Sequence, residues 1–160
     1  MNAAEGLTNP SWLVFALVFM GIVFYLAYMR QHETRRITRK FPSEQIILTG
    51  FGVNYYGLDS EPGRPLRSSG ALVLLRDALY YRARFSRVEL TIPGKAITYI
   101  GVTDMHKNKP LHQNVVAIRF MGPEGQEEKA AFRIPYPAQW VAAIKANLTT
   151  GMPRSGQPED

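Results

Sequence analysis

The side chains that most often carry chemistry are scarce in this chain. It has three histidines, His32, His106 and His112, and no cysteine. Without thiols there is no disulfide framework, cysteine nucleophile, iron–sulfur cluster or thiolate metal site. The best metal-ligand set is Asp104 and His106, two residues apart, with His112 further on. Nothing fixes their spacing in the way zinc sites require, so both histidines read as solvated loop side chains. No G-x-S-x-G elbow, Walker-type glycine loop or H-E-x-x-H pair occurs. The expectation is a non-enzyme with no cofactor and no metal.

What the chain offers instead is positive charge in sets. Nineteen Lys and Arg face thirteen Asp and Glu, for a formal charge of +6. Arg30, Arg35, Arg36, Arg39 and Lys40 crowd one short segment, opposed there only by Glu33. Arg64 and Arg67 occupy a Pro- and Ser-rich stretch, and Arg76 follows a short apolar run. Guanidinium groups suit phosphate recognition, so the first five residues with Arg64 and Arg67 are candidate contacts for anionic lipid headgroups. Arg82, Arg84 and Arg87 lie in one hairpin, and Lys107 and Lys109 in the polar stretch Asp104–Asn114. These five are candidate partner-facing residues. In the hairpin, Glu89 is placed to neutralise an arginine across strands. Tyr80 and Tyr81 beside arginines invite a nucleic-acid reading. Beyond residue 40, however, fourteen basic residues meet eleven acidic ones. That balance implies no nucleic-acid partner.

The elements that hold these residues divide sharply. From Trp12 to Met29 the sequence WLVFALVFMGIVFYLAYM contains no charge. Eighteen helical residues span about 27 Å, close to the hydrocarbon thickness of a bilayer. Trp12, Tyr25 and Tyr28 stand where interfacial aromatics are favoured. A cleaved signal peptide would start basic and end in small residues, whereas the first ten residues carry only Glu5 and the run ends in Tyr28 and Met29. We expect a transmembrane helix over residues 11–29, a short non-cytoplasmic tail over 1–10 and a basic juxtamembrane linker over 30–44. Positive residues flanking a span stay inside, so the remaining chain should be cytoplasmic.

Beyond Pro42 the period shortens to two. Strands are expected at Gln45–Tyr56, with Gly50 and Gly52 marking a bend or bulge, and at Ala71–Leu75. Leu79–Phe85 should put Leu79, Tyr81, Ala83 and Phe85 on one face, and Val88, Leu90 and Ile92 repeat the inward pattern. Further strands are expected at Ile97–Val102, Val116–Phe120 and Phe132–Ile134, the last two joined by a turn at Gly122–Gly125. The period then becomes helical, with Trp140, Ile144 and Leu148 forming a stripe after Pro137. Residues 149–160 are rich in Gly, Pro and charge and should be disordered.

This order resembles a pleckstrin-homology-like barrel of the bacterial, GRAM-type kind. The resemblance rests on GALVLLRDALYY (Gly70–Tyr81), VELTIPGKAITYI (Val88–Ile100) and AAFRIPYPAQWVAAIKANL (Ala130–Leu148). It implies a mainly-β barrel of seven strands over residues 45–148, capped by a C-terminal α-helix and preceded by the transmembrane helix. Many such domains bind lipid headgroups, but the basic signature expected in the first strand is missing: Gln45–Tyr56 has no Lys or Arg. The implied role is a membrane-anchored, non-catalytic scaffold, an accessory or assembly subunit whose partners are other membrane proteins. The alternative is an anionic-lipid sensor.

Overall fold

Strand β1 (Ile46–Leu58) begins apolar and ends in an alternation that sends Val53 and Tyr55 inward. The computed structural model describes residues 10–61 and 67–148. Strands β2 (Ser68–Leu75), β3 (Ala78–Ala83), β4 (Glu89–Pro93), β5 (Ile97–His106), β6 (Lys109–Met121) and β7 (Glu127–Arg133) follow, then helix α2 (Pro137–Leu148). They form one antiparallel sheet in the order β4-β3-β2-β1-β7-β6-β5. The chain is a meander in which β1 closes on β7, while β4 and β5 remain the two edges. Together with the C-terminal helix, this is a pleckstrin-homology-like architecture.

The inward rows supply the core: Leu72 and Leu74, Leu79 and Tyr81, Ile92, Ile100, Val116 and Ile118, and Phe132. Tyr55, Tyr81 and Phe132 pack as an aromatic triad with centroids 5.0–5.6 Å apart. The Tyr81 hydroxyl donates to the Ser68 carbonyl at 2.9 Å, which satisfies its polar end. Helix α2 packs on β5 and β6 and adds Trp140, Ile144 and Leu148 to the same core. Its Leu148 reaches the turn between β4 and β5, 3.1 Å from where a side chain on Gly94 would begin.

Two glycines in β1 have separate causes. Gly52 has φ +69° and sits where the β1–β2 register slips between Phe51 and Val53, so it is the bulge residue. Gly50 stays in register opposite Leu72, but a Cβ there would lie 2.8 Å from the Trp140 ring. The turn between β6 and β7 closes through Gly125 N–H donating to Gly122 O at 3.0 Å, with Gly125 at φ +80°.

The chain forms a second compact unit before residue 42. Helix α1 (Pro10–Lys40) is continuous for 31 residues. It contains an apolar stretch long enough to cross a bilayer, and none of that stretch is buried. The expected basic linker over 30–44 is helical through Lys40. Basic residues at a helix C-terminus favour the dipole, so Arg39 and Lys40 suit the last turn. Pro42 then takes an extended conformation before a 3-10 turn at Ser43–Gln45.

Three expectations are corrected. Phe85 does not share the inward face of β3, because the strand stops at Ala83, where Ala83 N–H donates to Val88 O and closes the turn. Phe85 is 78 % exposed. Val88 precedes the first residue of β4 and is also exposed. The polar stretch Asp104–Asn114 is no loop: β5 and β6 continue through it to a two-residue turn in which Lys107 and Asn108 are both left-handed. The tails 1–9 and 149–160 lie outside the described residues.

Candidate functional site

Contacts between separate segments mark two ends of the barrel. At one, Arg76 N–H donates to Gln45 O and Arg76 Nε to Glu44 O. This ties the β2–β3 turn to the point where the chain enters β1. At the other, the start of β2 and the β3–β4 turn are held together by Arg84 N–H donating to Ser69 O at 2.8 Å.

That second end gathers several of the residues singled out by charge. Arg67 is exposed at the start of β2. Arg84, Phe85, Ser86, Arg87 and Val88 form the β3–β4 turn, with the Arg84 guanidinium 5.9 Å from the centre of the Phe85 ring. An aromatic this exposed on a short turn contributes nothing to the core, and its company is cationic. Arg82 is different. It pairs in register with Glu89, and its Nη1 lies 2.8 Å from Glu89 Oε1. Glu89 therefore pairs with Arg82, and the turn itself carries Arg84 and Arg87. Arg64 lies outside the described residues. Arg30, Arg35, Arg36, Arg39 and Lys40 are exposed along α1.

Lys107 and Lys109 occupy the tip of the β5–β6 hairpin, which bends back over the outer face of β1 and β7. Leu111 packs against Tyr56, Val115 and Ala131 there, and Gln113 Nε2 donates to the Tyr56 hydroxyl. Lys107 N–H donates to Asp59 Oδ1 at 3.1 Å, and Lys107 Nζ to Glu61 O at 2.8 Å. Lys129 Nζ donates to Met105 O at 3.3 Å. Lys107 thus works inside a latch, while Lys109 remains exposed.

Under the latch is His106, fully buried rather than solvated, with Nδ1 3.2 Å from Asp59 Oδ1. Asp104 and His112 are both exposed. The structure does not bring the three together, and no group of three metal-ligand residues gathers among the described residues. Burial pushes His106 below the ordinary histidine range. Asp59 and the Gly57 backbone oppose that shift, while Lys129 and Lys107 reinforce it. The sign for stability follows: a ring whose folded pKa is depressed stabilises the fold fully above the unfolded value of about 6.5. That contribution is lost as pH falls below it. Stability should therefore decline on acidification from about pH 7 to pH 5, and His106→Gln should flatten the decline. Thermal unfolding across that range checks it; equal slopes in the two proteins would remove His106 as the titrating group.

A third feature had no signal in the sequence. On the outer face, Asn54 and Arg133 are register partners across β1 and β7. With the Gly52 bulge, Ile134 and Pro135 they line a cleft of about 460 Å³. Beside it stands Tyr136, 73 % exposed and left-handed at φ +57° between two prolines. A bulky residue rarely adopts that conformation. Its carbonyl accepts from Gln139 N–H and Trp140 N–H, which starts helix α2. The Pro135-Tyr136-Pro137 sequence reads as a chain break; the pairing of Asn54 with Arg133 depends on closure of β1 on β7, which leaves no local pattern.

No protein-family model matches the chain, and no curated protein sequence matches it. Among solved structures it is similar to the C-terminal domain of an unknown protein from Leishmania infantum, with a TM-score of 0.50 at 11% identity, covering 72% of this chain and 97% of that one. It is also similar to the Vps36 N-terminal PH domain, with a TM-score of 0.47 at 14% identity, covering 66% of this chain and 79% of the other. A chain of the 8S snRNP assembly intermediate gives a TM-score of 0.49 at 12% identity, covering 74% and 93%. At these identities the likeness concerns the fold alone.

Proposed function

We propose that this protein is a membrane-anchored, non-catalytic binding module, an accessory or assembly subunit of a membrane protein complex. Helix α1 is the anchor in this reading, and the basic residues after Met29 keep the barrel on the cytoplasmic side. A tether of this kind raises the local concentration of the barrel around neighbouring membrane proteins. The observation that carries the reading is the β3–β4 turn. Phe85 is left 78 % exposed between Arg84 and Arg87, on a domain that buries its other phenylalanines in the described strands far more fully. Exposed aromatics with arginines are the composition of interface anchors.

The same turn supports a second reading, contact with anionic lipid. An aromatic at the headgroup level with guanidiniums on phosphates is a recurrent membrane-surface arrangement. Arg67 would then act with Arg84 and Arg87.

Purification of the full-length chain in mild detergent tests the first reading. A second protein should co-purify stoichiometrically, and Phe85→Ser with Arg84→Glu and Arg87→Glu should reduce its recovery about tenfold, or 1.4 kcal/mol. Purification of the chain alone, with salt-sensitive retention on phosphatidylglycerol vesicles that the same substitutions abolish, would replace this reading with the lipid one.

A further inference from the structure

No residue of the β3–β4 turn lines the cleft at Asn54 and Arg133, and its chemistry is specific. Arg133 is exposed and Asn54 is half-buried. Among the described residues neither side chain has a hydrogen bond or ion pair within the protein. They sit side by side as register partners, over an apolar floor of Ile134 and Pro135. Gly52 leaves one wall without a side chain: a Cβ there would meet nothing within 4 Å. The chain also holds Tyr136, the residue after Pro135, in a left-handed conformation with its side chain exposed.

We infer that this cleft is a carboxylate-recognition site, and that its occupant is an acidic side chain of a partner polypeptide with an apolar neighbour in sequence. The inference deepens the binding-module reading and rests on it. Charge decides the class of anion. One guanidinium with one neutral amide matches a monoanion, whereas a phosphate dianion calls for more than one cation. A planar guanidinium accepts a carboxylate through two parallel N–H donors, and the Asn54 amide supplies a third from the neighbouring strand. The volume, about 460 Å³, exceeds what a carboxylate alone fills. Ile134 and Pro135 line it with apolar groups, and the exposed Tyr136 follows Pro135 directly, which suits an adjoining apolar residue.

The test uses the full-length chain in detergent and a fluorescein-labelled peptide of alternating glutamate and leucine, read by anisotropy. Saturable binding is expected. Arg133→Gln should weaken it about tenfold or more. Arg133→Lys should retain part of it, because the charge remains and the fork is lost. Asn54→Ala and Tyr136→Ala should each weaken it a few-fold. All three positions are exposed or half-buried, so melting temperatures should stay near that of the parent, and a variant that keeps its melting temperature isolates the site. Free acetate should compete weakly and inorganic phosphate no better than acetate. Absence of peptide binding, binding unchanged by Arg133→Gln, or displacement by phosphate well below the acetate concentration would each overturn the assignment. If a partner co-purifies with the full chain but Arg133→Gln leaves both capture and peptide binding unchanged, the cleft assignment fails while the binding-module reading stands.

Discussion

Replacing Trp140 by alanine should lower the stability of the barrel by about 3–5 kcal/mol, the range for truncating a large aromatic in a core. The indole is 6 % exposed and belongs to the central cluster with Ile144 and Leu148. Strands β4 and β5 do not pair, so the interior opens on that side and α2 is the element that closes it. Gly50 shows how tightly the ring is fitted, since even a methyl group there would sit 2.8 Å from it. Removing the indole leaves a cavity that the β1 backbone cannot fill. The loss falls on the helix as well as the sheet, because a twelve-residue helix is marginal without the face it buries. At about 4–8 °C per kcal/mol for a domain of this size, the melting temperature followed by circular dichroism should fall by more than about 10 °C. A change below about 1 kcal/mol, ordinary for a substitution outside the core, would mean that α2 does not seal the barrel.

The closing helix is legible because its signal is local. Trp140, Ile144 and Leu148 recur every four residues after a proline, and that spacing alone selects a buried face. Arg82 and Glu89 are legible for a similar reason: a short hairpin fixes which residues oppose each other. The missed features share the opposite property. Phe85 continues an alternation that loses its meaning once Ala83 is the last paired residue of β3. The hairpin tip over 104–114 is built from histidine, lysine, asparagine and glutamine, and turns through Lys107 and Asn108 without a glycine. Its inward residues, His106 and Leu111, find partners just after β1, at Asp59, and on β1 and β7, at Tyr56 and Ala131, that no neighbouring position reveals. The pairing of Asn54 with Arg133 is the extreme case, since it exists only once the first strand meets the last. Local periodicity reports which residues face inward; it does not report which outward residues the barrel makes neighbours.

Gly70→Ala should be the most damaging single-methyl change among the sheet glycines, at about 2–3 kcal/mol, the upper part of the range for overpacking. Gly70 is paired on both sides, opposite Val53 on β1 and Ala83 on β3. A Cβ there would fall 2.0 Å from the Arg82 carbonyl oxygen and 2.8 Å from the Ala83 Cα. Both are backbone atoms of a paired strand, so no side-chain rotation relieves the contact; the strands must separate. Separation at Gly70↔Ala83 also disturbs Arg84 N–H on Ser69 O, the hydrogen bond that holds the β3–β4 turn. The denaturation midpoint should therefore fall with an unchanged slope against denaturant, the mark of lost native stability rather than an altered unfolded state. Partner capture through Phe85 should weaken in parallel at temperatures where the variant is still folded. A midpoint shift equivalent to less than about 0.5 kcal/mol, the ordinary range for neutral surface changes, would show that β2 and β3 stand further apart at Gly70 than this geometry has them.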